Sequence, residues 1–312
     1  MPKISFIIVS WNACKFLKDC LESIRQTCRD LDYEVIVVDN DSNDGSPEMV
    51  AAEFAETKLI QAGANLGFAK ANNKGLQHVT GDYIALINSD VLVHPGCIQT
   101  LAGYLTEHPK VGLAGPWVAG GDGKLQRSCR RLPTIWNTLC RTLALDSFLG
   151  RWAIFSGREM RHWNHDTLME VEVLSGCFWL ARRTAVEQVG GLDERFFFYA
   201  EDVDWCKRFR DAGWKVVFVP TATATHYGGG SSGNAPLRYS IELLRANITY
   251  WHKHHMWIGQ WAFRFLLLLH HGTRLGGYSV KQLLSRSNRE EAAFKRQRSW
   301  VCLRWLLSGK GV

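Results

Sequence analysis

Three acidic motifs and one histidine, each just past an apolar run, are where this sequence can do chemistry. Asp39-Asn40-Asp41-Ser42-Asn43-Asp44 follows Val37-Val38. A carboxylate at such a strand end can accept hydrogen bonds from a ribose hydroxyl or a pyrimidine N–H, or it can cap the next helix. Asn88-Ser89-Asp90 follows the apolar residues 83–87. A carboxylate there can hold a divalent cation bridging two phosphates, or simply close a turn. Phe197-Phe198-Tyr199-Ala200-Glu201-Asp202-Val203-Asp204-Trp205 sets acids at a helix start behind an aromatic run. Apolar surroundings raise a carboxyl pKa and a helix N-terminus lowers it, a balance that suits a general base; an N-cap role for Asp202 is the alternative. His226 fits either a core histidine or a neutral imidazole metal ligand.

The elements that must position these groups follow from apolar patterning. Residues 4–9, 35–38, 58–60, 83–87 and 111–114 are apolar on consecutive positions, as strands covered on both faces require. Between them, residues 15–26, 46–55, 69–78 and 95–107 carry helical patterns, with Ser46 as N-cap before Pro47 and a second start at His94-Pro95. This alternation predicts an α/β, doubly wound, mostly parallel sheet. Residues 171–182 read as a further strand region, 203–212 as a helix and 215–219 as a strand. The turn after the first strand, Ser10-Trp11-Asn12-Ala13-Cys14-Lys15, lacks the glycines of a dinucleotide fingerprint, which argues against NAD.

Composition sets further bounds. Of 37 Lys/Arg and 30 Asp/Glu, 13 and 3 fall from Arg238 onward, leaving 24 and 27 before it. A mildly acidic body therefore carries a strongly basic tail, which implies an anionic partner. No zinc-finger spacing or RNP-like motif accompanies the charge, so no nucleic acid is expected. Nine cysteines without a CxxC pair suit reduced thiols in a cytosolic protein, and Met1-Pro2-Lys3 gives no sign of a secretory leader.

In chain order, Ile7-Ile8-Val9-Ser10-Trp11-Asn12, Val38-Asp39-Asn40-Asp41-Ser42-Asn43-Asp44-Gly45-Ser46, Asn65-Leu66-Gly67-Phe68-Ala69 and Asn88-Ser89-Asp90 lead. Ser175-Gly176-Cys177, Gly190-Gly191-Leu192-Asp193-Glu194-Arg195-Phe196-Phe197, Glu201-Asp202-Val203-Asp204-Trp205 and His226-Tyr227-Gly228-Gly229-Gly230-Ser231 follow. The ordered set, spanning residues 4–253, resembles glycosyltransferase family 2, inverting enzymes with a GT-A nucleotide-sugar fold. The resemblance implies that Asp39 and the loop Ser10, Trp11, Asn12 hold the nucleotide of a diphosphate-sugar donor, with Asn65, Asn72, Asn88 and Ser89 nearby. It makes Asp90 and His226 ligands of Mg2+ or Mn2+, and Asp202 the base, with Glu201 the next candidate. The family's metal motif is commonly Asp-x-Asp, and Asn88 departs from it. The Asn-x-Asp version is most similar to the bacterial rhamnosyltransferase-like subgroup, implying dTDP-L-rhamnose as donor, with UDP-hexose or UDP-N-acetylhexosamine as alternatives. The acceptor implied is a lipid-linked glycan or lipopolysaccharide core of the cell envelope. A sugar nucleotidyltransferase would need a Gly-rich loop after the first strand; a non-catalytic nucleotide-sugar-binding protein would not hydrolyse donor.

The expected organisation is a catalytic domain over residues 1–235, with an insertion at about 120–166 forming a mobile cover, and a basic, aromatic-rich helical tail over 236–312. Residues 228–233 read as a flexible glycine loop. Residues 257–269 are apolar nearly all round, yet a helix of that length reaches only ~20 Å, short of a ~30 Å hydrocarbon core. Peripheral attachment to the anionic, cytoplasmic face of the inner membrane is expected, with Trp257 and Trp261 at headgroup level and Arg264, Arg274 and Lys281 meeting lipid.

Overall fold

The computed structural model describes residues 2–228, 236–284 and 289–309, so the glycine loop falls largely outside the described residues. The chain divides into two compact units, Met1–Leu132 with Trp163–Ser231, and Pro133–His162 with Ser232–Val312. Most of the stretch expected as an insertion in the catalytic domain thus groups with the C-terminal helices.

In chain order the elements are β1 (Ile4–Ser10), α1 (Cys14–Thr27), β2 (Tyr33–Asp39), α2 (Ser46–Glu53), β3 (Lys58–Gln61), α3 (Phe68–Leu76), β4 (Tyr83–Asn88), β5 (Val91–Val93), α4 (Cys97–Glu107), β6 (Val111–Ala119) and β7 (Cys129–Arg130). There follow α5 (Ile135–Thr142), α6 (Leu145–Phe148), β8 (Met169–Glu170), β9 (Val173–Leu174), β10 (Phe178–Arg182), α7 (Arg183–Val189), α8 (Glu201–Asp211) and β11 (Lys215–His226). The last three are α9 (Pro236–His254), α10 (Trp257–Leu284) and α11 (Arg289–Leu307).

The main sheet of the first unit has the order β3-β2-β1-β4-β10-β6-β11-β5, with β8 also on β11. β3, β2, β1, β4, β6 and β11 run the same way; β10 lies antiparallel between β4 and β6, and β5 and β8 antiparallel on β11. Continuous apolar runs fold this way because both faces are covered. Phe6 and Ile8 of β1 enter one core with Leu17 and Leu21 of α1 and Leu101 of α4. Val9 faces the opposite side, against Ile36, Val38 and Ala71. Each such side chain taken from water contributes about 1.5–3 kcal/mol.

Several sequence expectations shift at element ends. Gly45 caps α2 at φ +84°, a left-handed position open to glycine, so Ser46 is the first helical residue rather than the cap. Its hydroxyl donates to Asp44 Oδ1 at 2.5 Å. Gly96, not His94, caps α4. The strand region 171–182 divides into β9 and β10, and β11 runs well past Val219 to His226. All nine cysteines are free thiols.

The second unit is helical. A capping box opens α5: Thr134 Oγ1 accepts the Asn137 N–H at 3.1 Å, and the Thr134 N–H donates to Asn137 Oδ1 at 3.0 Å. Trp251 of α9 stacks on Phe263 of α10, centroids 4.6 Å apart, and Cys302, Trp305 and Leu306 of α11 are buried. The apolar run 257–269 is only the first half of α10, which has 28 residues. At ~1.5 Å per residue this is about 42 Å, so the expected shortness does not hold. Polarity is what counts: among the described residues no helix is both long and apolar enough to cross a membrane. Arg264, expected to face lipid, donates instead to the Leu306 carbonyl at 2.7 Å.

Candidate active site

Parallel strands place the carboxyl ends of β1, β2, β4 and β11 along one edge of the first unit's sheet. Ser10 and Asp39 close β1 and β2 as register partners. Both are buried, and Asp39 Oδ2 accepts the Ser42 N–H at 3.0 Å. Asp39 Oδ1 and Ser10 Oγ have no hydrogen-bond partner. Buried polar atoms left open at a strand edge are costly unless a ligand completes them.

The loops after β1 and β2 are tied to each other. Asn12, at φ +50°, accepts the Asn43 N–H on Oδ1 at 2.8 Å, and its own N–H donates to Ser42 Oγ at 2.9 Å. Asn12 is therefore a brace between loops, beside half-buried Trp11. Burial would raise the Asp44 carboxyl, but hydrogen bonds from Ser46 and the Cys14 N–H outweigh it and hold it below the usual range. Asn65 Oδ1 accepts Asn40 Nδ2 and the Gly67 N–H, both at 3.1 Å. Asn72 Nδ2 bonds back to the Phe68 carbonyl within its own helix at 2.9 Å. Gly67, at φ +80°, approaches the Phe197 carbonyl so closely that a Cβ would lie 2.5 Å from it. This contact and the bond from Phe68 N to Phe197 O (2.9 Å) fasten the Asn65 loop to the segment leading into α8.

Asp90 and His226 meet because β5 returns antiparallel on β11: His226 pairs with Val91, and the Tyr227 N–H donates to the Asp90 carbonyl. His226 Nε2 stands 3.2 Å from Asp90 Oδ1, and Asp90 Oδ2 accepts the Gly228 N–H at 3.0 Å. His226 Nδ1 lies 2.5 Å from Gln126 Oε1, and Asn88 Nδ2 lies 3.3 Å from Nε2. A proton on Nδ1, donated to Gln126, leaves the Nε2 lone pair facing a carboxylate oxygen. Two acceptors so placed suit a hard cation. Among the described residues no third His, Cys, Asp or Glu joins them. Mg2+ and Mn2+ fit such a donor set, since they are commonly held by one or two carboxylates plus substrate oxygens and water. Ser89 sits between Asn88 and Asp90, half-buried.

The second acidic centre opens α8. Tyr199 and Ala200 both take positive φ, +73° and +63°, and Ala200, not Asp202, is the N-cap. Non-glycine residues held there carry strain of about 1–3 kcal/mol each, of the kind found at functional sites. Glu201 and Asp202 are buried. Burial first, then the neighbouring Asp202 charge, pushes the Glu201 carboxyl well above its usual range, and its Oε2 has no partner. Asp202 Oδ1 accepts the Val203 N–H at 2.8 Å, and Arg130 Nη1 lies 3.8 Å from Oδ2. The segment Ser175-Gly176-Cys177 joins the two centres: the Cys177 carbonyl accepts the Asn88 N–H at 2.9 Å, and a Cβ on Gly176 would lie 3.6 Å from Asp202 Cβ.

The site adds Gln126, Arg130 and Asn40 to the groups expected from sequence. Gln126 and Arg130 come from the stretch expected as an insertion at about 120–166, where no motif in the sequence singled them out.

Over residues 5–190 the sequence matches Glycosyl transferase family 2. The chain belongs to that family. Among its relatives is the N-acetylglucosaminyl-diphospho-decaprenol L-rhamnosyltransferase of Mycobacterium tuberculosis, 33% identical over 215 residues, covering 65% of this chain and 69% of that protein. Rhamnosyltransferase WbbL of Escherichia coli is 26% identical over 235 residues, covering 72% and 83%. Among solved structures, mannosyltransferase PcManGT from Pyrobaculum calidifontis, in complex with GDP-Man and Mn2+, superposes with a TM-score of 0.60 at 16% identity, over 99% of this chain and 88% of that one. GalNAc-T7 with UDP, GalNAc and Mn2+ gives 0.59 at 16% identity, over 99% and 56%. At such identities the likeness is one of fold: this family 2 glycosyltransferase has the GT-A fold with C-terminal helices.

Proposed function

We propose that this glycosyltransferase moves L-rhamnose from dTDP-L-rhamnose to a hydroxyl of a lipid-linked glycan, with inversion at the sugar carbon. One observation carries the mechanism: the facing Asp90–His226 pair and the buried Glu201–Asp202 pair flank a single segment, Ser175-Gly176-Cys177. The donor follows the names of the Mycobacterium tuberculosis and Escherichia coli relatives. The lipid-linked acceptor follows the former, and envelope polysaccharide synthesis is the setting this implies.

Asp39 Oδ1 and Ser10 Oγ receive the nucleotide, completing their open hydrogen-bonding positions. Asp90 and His226 would hold Mg2+ or Mn2+, which when bound neutralises the diphosphate leaving group. Asp202 accepts the proton of the acceptor hydroxyl as its oxygen attacks the anomeric carbon from the face opposite the diphosphate. The new C–O bond forms as the bond to the diphosphate breaks. One displacement inverts the centre, and no covalent enzyme intermediate is involved. Burial, then the neighbouring Asp202 charge, keeps Glu201 protonated, which leaves the proton-accepting role to Asp202. Peripheral attachment to an anionic membrane on its cytoplasmic face belongs to the same reading, supported by the basic tail.

The test is a panel of nucleotide sugars incubated with purified protein and Mg2+ or Mn2+, scored by release of free nucleotide. dTDP-L-rhamnose should be turned over fastest. Faster release from a UDP-hexose or UDP-N-acetylhexosamine would replace the donor; release from none would point to a non-catalytic binding protein.

A further inference from the structure

Arg130 stands beside Asp202 with its hydrogen-bond donors unused. It ends β7, where it pairs antiparallel with Val173 of β9, and two residues further along each strand the Ser175 N–H donates to the Ser128 carbonyl at 2.7 Å. β7 is thereby fixed alongside Ser175-Gly176-Cys177, the segment whose Gly176 stands against Asp202. Arg130 Nη1 lies 3.8 Å from Asp202 Oδ2, an ion pair too long for a hydrogen bond. Among the described residues, Asp202 is the only carboxylate in salt-bridge contact with Arg130, and none of the guanidinium N–H groups has a hydrogen-bond partner. Nε is buried, while the side chain as a whole is 33% exposed. Other half-buried arginines of the first unit behave differently. Arg208 donates to Asp204 and to the Val189 and Gly191 carbonyls, and Arg182 to the Val111 and Leu105 carbonyls.

A buried donor left open is costly unless a ligand completes it. The planar fork of a guanidinium matches two oxygens of one phosphate, whereas a single hydroxyl engages one N–H and brings no charge. The position of Arg130 says which substrate brings the phosphate. In a single displacement the base and the departing diphosphate stand on opposite faces of the sugar carbon. Arg130 lies at the base, hence on the acceptor's side, and the donor diphosphate lies on the side of Asp90 and His226. Charge points the same way. Once Asp202 has taken the acceptor's proton, Arg130 keeps a counter-charge only if the acceptor supplies one. Before that step, the guanidinium offsets the repulsion between the acceptor phosphate and Asp202.

We propose that Arg130 receives a phosphate group of the acceptor, beside the hydroxyl that Asp202 deprotonates, so that the enzyme selects an acceptor whose reacting sugar carries phosphate. This deepens the proposed function and rests on its assignment of Asp202 as the base. It adds a substrate-contacting residue for the acceptor and narrows the lipid-linked glycan to one joined through phosphate.

The experiment is titration calorimetry on the full-length protein loaded with dTDP and Mn2+, which fills the donor's phosphate positions. The probes are N-acetylglucosamine 1-phosphate and N-acetylglucosamine, the sugar in the Mycobacterium tuberculosis relative's name. Wild type should bind the sugar phosphate about 10–100-fold more tightly than the sugar. Arg130→Gln and Arg130→Met, two uncharged replacements, should each erase that preference, and Arg130→Lys should fall between them and wild type. Affinity for dTDP with Mn2+ should be equal in all four proteins, and circular dichroism melting checks that each variant is folded. A wild type with no preference for the phosphate would overturn the proposal, as would a preference that survives in the folded Gln or Met variant. So would a loss of dTDP affinity matching the loss for the sugar phosphate, which would make Arg130 a donor contact. Nucleotide release from dTDP-L-rhamnose, recorded on the same samples, tests the transferase reading separately. Its absence in wild type would count against that reading and leave the binding comparison standing.

Discussion

The two acidic centres of the first unit both rest on carboxyl groups, and their surroundings differ. At Asp90 one oxygen is occupied by the Gly228 N–H, and the other faces an imidazole nitrogen whose ring is held from behind by Gln126. At Glu201–Asp202 the carboxyls are buried side by side, with the Arg130 guanidinium 3.8 Å from Asp202. Like charges in a buried pair cannot both be carried cheaply, so one carboxyl retains its proton. The difference teaches that neighbouring groups, more than residue type, distinguish the two carboxyl centres, and the proposed cation-holding and proton-accepting roles follow that distinction. Arg130 and Gln126 are the neighbours that differ, although neither belongs to an acidic motif.

The comparison breaks most visibly at Asp202. Asp202→Asn keeps the shape and removes the proton acceptor, so turnover should fall about 10²–10⁴-fold with donor affinity nearly unchanged. Retention of more than about a tenth of turnover would move the base to Glu201. Asp90→Ala should act on the other side of the comparison, weakening metal-dependent donor binding, and EDTA should silence the wild type. Full activity in EDTA would remove the metal from the account. Gln126→Leu sharpens the comparison further: loosening the His226 ring should raise the metal concentration for half-activity by about 10–100-fold. The smallest effect is on stability. The raised Glu201 carboxyl binds more protons folded than unfolded between the ordinary carboxylate range and about 8, so stability falls as pH rises through that window. Glu201→Gln should flatten this slope, and thermal melts at pH 5 and pH 8 would measure it. An unchanged slope would mean that Glu201 is not the group responsible.

Much of this was legible in the sequence, and the misses have physical reasons. Parallel strands covered on both faces leave continuous apolar runs, which is why β1, β2 and β4 and the acids at their ends could be read directly. The extension of β11 to His226 was hidden because Pro220 interrupts it. Past a register shift between Val219 and Thr223, buried Ala222 and Ala224 alternate with threonines, a pattern too weakly apolar to announce a strand. β5 has three residues and gives no periodicity, yet it brings Asp90 to His226. Gln126 and Arg130 lay in a segment with no readable element. In the second unit the apolar run ended at Leu269 while the helix continued to Leu284 through His270, His271, Gly272, Gly276 and Gly277. Hydropathy marked the first half of α10 and missed the rest.

Division of labour between the two centres is the central claim, and one paired measurement tests it most directly. Titration calorimetry would follow Mn2+-dependent binding of dTDP to wild type, Asp90→Ala and Asp202→Asn, with nucleotide release from the donor sugar recorded on the same samples. The account predicts that Asp202→Asn binds Mn2+ and nucleotide like wild type while releasing almost nothing, and that Asp90→Ala loses the Mn2+ dependence of binding. Unchanged Mn2+-dependent binding in Asp90→Ala, or turnover near wild type in Asp202→Asn, would contradict it.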